Sequence, residues 1–240
     1  MNRREILRTT SLSSLGLLAA RTIPTALGQE RSKGANEKIR IGIVGFSDRL
    51  VQALLPSYMA VAADFNTEIV GVSDLWSVRR DDAKAWFKKH MNQDIETYRN
   101  NEELYEKAKP DAVIISTADF QHALHAIEAV KAGSDVYCEK PFAETMQDAR
   151  AALKAVRESK QILQVGSQRR SGNTYHAARK FIQSGQFGPI VAAEMTWNVN
   201  QPGRWRRPDL VAKVREEDID WKRFLMNRPE VAFDARKYLE

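Results

Sequence analysis

The chain has 240 residues, 43% of them hydrophobic, enough to bury one sizeable core and to begin a second. Its formal charge of +6 falls to +3 (33 basic against 30 acidic residues) once the first 28 residues, with four Arg and one Glu, are set aside; the aromatics do not interleave a basic stripe, so no nucleic-acid partner is expected. Cys138 is the only cysteine, which excludes an intrachain disulfide.

Arg3-Arg4 stand ahead of the apolar pair Ile6-Leu7, and a modestly hydrophobic stretch over 11–26 is broken by Arg21 and Pro24. This pattern reads as a twin-arginine export signal over 1–28, with small residues at Ala26 and Gly28 placing cleavage before Gln29 and leaving 29–37 as a polar linker. The expected location is periplasmic or secreted. The apolar run is shorter than the roughly 20 residues a spanning helix requires, so no stable membrane anchor is expected. That route carries proteins that have already folded.

Residues 39–45 form an apolar run ending in Gly45, and Leu50, Leu54 and Ala62 then recur at helical spacing to about Asp64. A second β-branched run at 69–72 stops at Ser73-Asp74, and 78–89 resumes a helical pattern with Trp86 and Phe87. Residues 95–98 are too short to assign, 101–107 predict a short helix, and Pro110-Asp111 restarts the chain into a strand at 112–117. A helix at 123–131, a break at Gly133 and a strand at 135–139 follow, then a helix at 145–158 and a buried strand at 162–165. Near-continuous apolar strands separated by helices of about ten or more residues call for a parallel sheet covered on both faces. The expected fold class is therefore α/β: a Rossmann-type doubly wound parallel sheet over 38–166, with its ligand crevice at the carboxyl ends of the strands. From Gln168 the pattern changes to one helix (174–184), turns at Gly185 and Gly188-Pro189, a strand candidate at 190–198, and a polar, Arg- and Trp-rich remainder. Residues 167–240 are expected to begin an α/β second domain that is incomplete.

Set against G-x-G-x-x-G, the turn Gly45-Phe46-Ser47-Asp48-Arg49-Leu50 keeps the first glycine but has Ser47 and Leu50 at the second and third positions. It is a cofactor-binding candidate that a plain strand-to-helix turn also fits. Asp74, at the end of the second run, stands where a carboxylate meets the adenosine ribose and favours NAD over NADP unless Arg79 and Arg80 turn inward; a helix cap is the other reading. Glu139-Lys140-Pro141 directly follows a buried strand. A lysine there between apolar walls can have its ammonium pKa lowered enough to share a proton with a substrate hydroxyl, with Glu139 orienting it; the alternative is a solvated pair before a helix. Thr117 and His122 lie near the same crevice, and Gln168-Arg169 carry donors suited to sugar hydroxyls. The His122/His125 spacing has no third ligand, so no metal is expected. Arg204-Trp205-Arg206-Arg207 reads equally as a second-domain contact or a solvated loop.

These residues resemble the glucose-fructose oxidoreductase and inositol dehydrogenase (Gfo/Idh/MocA) family: the strand at 39–45, Asp74, Gln121-His122-Ala123, Val136 to Pro141 with its Glu-Lys-Pro, Val165-Gly166-Ser167-Gln168-Arg169, and Ser184-Gly185-Gln186-Phe187-Gly188-Pro189-Ile190. The resemblance implies a Rossmann domain followed by an open-sheet α/β domain, NAD or NADP as cofactor, and hydride transfer at a sugar or cyclitol hydroxyl with Lys140 in the active site. It implies a sugar-like small molecule as partner, and homo-oligomers through the face of the second domain's sheet. The family's acid-base Asp and His, four residues apart, have no counterpart, since the last histidine is His176. The chain alone is therefore expected to be inactive, and the full-length protein to be a dehydrogenase. The rival expectations are a protein that binds nucleotide or sugar without turnover, and a chain whose uncovered apolar face prevents stable folding.

Overall fold

The computed structural model describes residues 37–200, 202–203 and 206–239. The expected export signal, nearly all of the expected linker, and Arg204 and Trp205 lie outside the described residues.

Six parallel strands form one sheet: β1 (Ile39–Val44), β2 (Thr67–Ser73), β3 (Thr97–Tyr98), β4 (Ala112–Ile115), β5 (Asp135–Cys138) and β6 (Leu163–Val165), in the spatial order β3-β2-β1-β4-β5-β6. The order reverses between β1 and β4, which neighbour each other although two strands separate them in the chain. Loops leaving these two strands diverge to opposite sides and open a crevice at their carboxyl ends.

Alternation along β1 sends successive side chains to opposite faces. Ile43 joins Leu50, Leu55, Ile69, Val72, Ala83 and Phe87 in one core layer. That layer is covered by a π-helical turn (Leu50–Leu54) running into α1 (Leu55–Val61) and by α2 (Ser77–Met91). Val44 joins Leu104, Val113, Ile115, Ala126, Ala129, Val136 and Cys138 in the other. This second layer lies under the short α3 (Asn101–Glu103) with its π-helical continuation (Leu104–Ala108), α4 (His122–Lys131) and α5 (Met146–Glu158). Each fully buried Leu, Ile or Phe adds about 1.5–3 kcal/mol, so both layers together hold the doubly wound sheet.

Three expectations are revised. Residues 95–98, too short to assign, supply β3, which pairs through only two residues at the sheet edge. The helix at 101–107 is split, its second half widening to a π turn that buries Leu104 and Ala108. The strand at 190–198 does not form: the stretch has no regular structure, with Val191, Met195 and Trp197 exposed, and among the described residues no second strand pairs with it.

Beyond β6, α6 (Asn173–Gln183) stands exposed. The chain then returns to the sheet as α7 (Pro208–Val211), α8 (Trp221–Leu225) and α9 (Ala235–Leu239). A bridge from Ile219 to Trp76, a Gln121 Nε2 donation to the Phe224 carbonyl at 2.7 Å, and packing of Trp221, Phe224 and Tyr238 fasten this segment over the strand ends.

Candidate active site

A groove of about 1120 Å³ runs along the carboxyl ends of β1, β2, β4 and β5, with the returning segment as its roof. Gly45, Phe46, Ser47, Asp48, Arg49, Asp74, Thr117, His122, Glu139 and Lys140 all line it. Residues from four loops, up to 95 positions apart in sequence, thus share one cavity because parallel strands all deliver their ends to one edge.

Gly45 leaves β1 at φ +86°, and a Cβ there would lie 2.6 Å from Thr117 Cγ2 and 2.8 Å from the Ser116 carbonyl oxygen. Glycine lets the turn lie directly on the end of β4. Ser47 hydrogen-bonds Ser116, hydroxyl to hydroxyl at 2.6 Å, and its Oγ also accepts from the Leu50 N–H at 3.2 Å. The serine in place of the second glycine therefore stitches the turn to β4. Ser116 is a functional neighbour that sequence reasoning missed, although its place just after an apolar strand marks it.

Asp74 accepts from the Phe46 N–H at 2.8 Å through Oδ2 and from the Trp76 N–H at 2.9 Å through Oδ1. Burial raises its carboxyl above the ordinary value, against the opposing pull of those two N–H groups and of Arg79 and Arg80. Each oxygen keeps a second lone pair for a ribose hydroxyl. The arginines do not turn onto the carboxylate: Arg80 donates to the Asp74 carbonyl oxygen at 2.7 Å, while Arg79 pairs with Asp48 at 2.9 Å and lies over Trp76. Asp48 is also met by Arg207 at 3.5 Å, so this arginine of the basic loop reaches the groove.

Glu139 is buried, with its side chain 3% exposed, whereas Lys140 is exposed at the groove's edge. The enclosed position expected for Lys140 belongs to its neighbour Glu139 instead. The Glu139 carboxylate does not orient the ammonium. It pairs with Arg49, whose Nε and a terminal nitrogen both lie 3.1 Å from Oε1, and Oε2 accepts from the Lys140 backbone N–H at 3.3 Å. The Lys140–Pro141 peptide is cis, and the Pro141 carbonyl accepts from His122 Nδ1 at 2.6 Å, tying the Glu-Lys-Pro loop to the start of α4. Below it, Asn101 Nδ2 donates to Glu128 at 2.9 Å and His125 contacts the same carboxylate at 2.9 Å. Burial raises the Glu128 carboxyl, but the hydrogen bonds and charge outweigh it and the net value is lowered.

Gln168 and Arg169 do not join the groove. Both are exposed in the turn after β6, an edge strand two places from β4 across β5, and Arg169 adopts φ +69° to begin the path to α6.

The lining fits a dinucleotide. The glycine turn is a cradle that a Cβ would fill, Asp74 presents acceptors, and Thr117 Oγ1 and His122 Nε2 are buried polar atoms without a hydrogen-bond partner. Residues 39–167, more than half of the chain, match the Gfo/Idh/MocA oxidoreductase family with its NAD-binding Rossmann fold. The chain belongs to this family. A relative from Ensifer adhaerens, 1,5-anhydro-D-fructose reductase, is 33% identical over 135 residues, 52% of this chain and 40% of its own length. Inositol 2-dehydrogenase of Salmonella typhimurium is 27% identical over 162 residues, 67% of this chain and 47% of its own. The WlbA dehydrogenase of Bordetella pertussis, solved with NADH and UDP-GlcNAcA, superposes with a TM-score of 0.56 at 28% identity, over 63% of this chain and 44% of that one. The scyllo-inositol dehydrogenase of Lactobacillus casei shares the fold with a TM-score of 0.55 at 22% identity, over 64% and 43% of the two chains. This Gfo/Idh/MocA chain thus spans less than half the length of these curated relatives.

Proposed function

We propose that the chain is the nicotinamide-dinucleotide-binding part of an oxidoreductase acting on a sugar or cyclitol hydroxyl. One observation carries the reading: the Gly45 turn, Asp74 and Lys140 leave three different strands and line a single groove. The relatives' names, an anhydrofructose reductase and inositol dehydrogenases, support the substrate class.

Bound nicotinamide supplies the site that accepts or gives up hydride. The 45–49 turn holds the phosphates, and Asp74 accepts from the adenosine ribose. With its backbone anchored through Glu139 and its loop held by His122, Lys140 presents Nζ to the substrate oxygen, positioning it and assisting proton transfer as hydride passes. We also propose export by the twin-arginine route to the periplasm, on the strength of the paired arginines and the apolar stretch behind them.

The test is a titration of the full chain with NADH, followed through quenching of tryptophan fluorescence, since Trp76 lines the groove. Saturable binding displaced by ADP-ribose is expected, and its absence overturns the reading. Oxidation of a panel of cyclitols and sugars by the full-length protein is then followed by NADH formation. Lys140→Met is expected to lower turnover by about 100-fold or more while NADH affinity stays within about threefold. Unchanged turnover removes Lys140 from the chemistry.

A further inference from the structure

We propose that Arg49 is a positioning residue shared between Glu139 and the dinucleotide's diphosphate: its guanidinium transfers from the carboxylate to the phosphates as nucleotide binds, and the released carboxylate accepts hydroxyls of the nicotinamide-side ribose. The proposal rests on the nucleotide-binding reading above and deepens it.

Four features of the groove carry it. First, the turn that should meet the diphosphate offers it less than the full glycine fingerprint does. The Ser47 hydroxyl is engaged with Ser116 and with the Leu50 N–H. A serine where the fingerprint has its second glycine also keeps the backbone from the closest approach. A side-chain cation that reaches the anion makes up for that distance.

Second, the other arginines at this end are occupied at its outer wall. Arg79 and Arg207 face Asp48, and Arg80 serves the Asp74 carbonyl. Arg49 alone among these four reaches across the crevice, from the end of the β1 turn to the end of β5, over the mouth of β4.

Third, the contact is built to exchange. Two of the three guanidinium nitrogens fall on one oxygen, Oε1, rather than forming the two-oxygen fork that gives such pairs their geometric specificity. Arg49 is 39% exposed and Glu139 only 3%, so the cation can swing while the anion stays.

Fourth, Glu139 needs a replacement. A buried carboxylate left without a partner is strongly unfavourable, so withdrawal of Arg49 is tolerated only if donors arrive together with the anion. A dinucleotide brings both: a diphosphate for the arginine and the hydroxyls of a second, nicotinamide-side ribose for the carboxylate. ADP brings the first without the second, and adenosine brings neither.

That difference supplies the experiment. NADH, ADP and adenosine are titrated against the full chain and its Arg49→Ala, Arg49→Lys and Glu139→Gln variants, with Lys154→Met, a substitution in an exposed i,i+4 pair on α5, as a surface-charge control. Arg49→Ala is expected to weaken NADH and ADP by about tenfold or more, with adenosine within about twofold and Arg49→Lys recovering part of the loss. Glu139→Gln is expected to tighten ADP, because Arg49 is no longer held back, and to weaken NADH. Effects of opposite sign on two ligands are something a purely structural role does not produce. If Arg49→Ala lowers the melting temperature sharply, the double variant Arg49→Ala/Glu139→Gln removes the pair without stranding a charge, and the same loss of ADP affinity is expected there. Wild-type NADH binding together with unaltered ADP affinity in the arginine variants, or shifts of the same sign for both ligands in Glu139→Gln, overturns the proposal while leaving the nucleotide-binding reading intact. Failure of the wild type to bind NADH overturns both.

Discussion

Gly45 is held by two constraints at once. Its φ of +86° lies where an L side chain is strained, and the space a Cβ would occupy already holds Thr117 Cγ2 and the Ser116 carbonyl. Gly185 shares the first constraint, with φ +81°, but nothing lies within 4 Å of its would-be Cβ. Gly45→Ala is therefore expected to cost about 2 kcal/mol or more and to abolish NADH binding, whereas Gly185→Ala costs about 1 kcal/mol and leaves binding unchanged. Equal melting temperatures for the two variants would show that the close approach at Gly45 does not matter. At this scale much of the site was readable in advance. Gly45, Asp74 and Lys140 stand at ends of apolar runs, and a parallel sheet gathers such ends. Their partners were not readable: that Glu139 is buried against Arg49 while Lys140 faces out depends on where β5 stops, a matter of one residue in register. Gln168 and Arg169 stood at a strand end too, but that strand is at the edge of the sheet, and strand order is not written in any single run of residues.

Among the elements, α5 shows how far local chemistry defines a boundary. Thr145 stands at its start with extended backbone; its Oγ1 accepts from the Asp148 N–H at 3.0 Å and donates to Asp148 Oδ2 at 2.7 Å. Asp148 in turn accepts from Asn227 Nδ2 at 3.0 Å, so the cap also anchors the returning segment. Thr145→Ala is expected to destabilise by about 1 kcal/mol in urea unfolding, with Thr145→Ser recovering most of it. A loss equal in both variants would assign the effect to the threonine methyl rather than to the cap. Strands and helices with long apolar runs were legible because burial on both faces leaves a continuous signal. The two-residue β3 carries too little pattern to detect, and the π-helical widening at 104–108 is set by packing on β1 and β2, not by residue type. The apolar stretch at 190–198 has the composition of a strand, but composition supplies no partner, and a strand is a pairwise object.

For the whole molecule, the roof over the groove was the least legible feature. Residues 206–239 have little periodicity, yet Trp76 receives Ile219 as a bridge partner and Tyr238 edge-on at 6.0 Å, and these contacts close the groove at its Asp74 end. A cavity assembled from both ends of the chain forms only in the folded protein, and this bears on the proposed route of export. A path that carries folded chains delivers a protein already holding a ligand taken up in the cytoplasm, and with a single cysteine the fold needs no oxidising compartment. Arg3→Lys/Arg4→Lys is accordingly expected to retain the protein, folded and able to bind NADH, in the cytoplasmic fraction. The unaltered chain is expected in the periplasmic fraction, releasing nicotinamide dinucleotide when denatured. Gly45→Ala is expected to lower the exported share as well, because it weakens the fold on which that path depends. Periplasmic recovery of the double-lysine variant at the wild-type level would set aside the twin-arginine route. Recovery of the unaltered protein from the periplasm without nucleotide would separate export from cofactor loading.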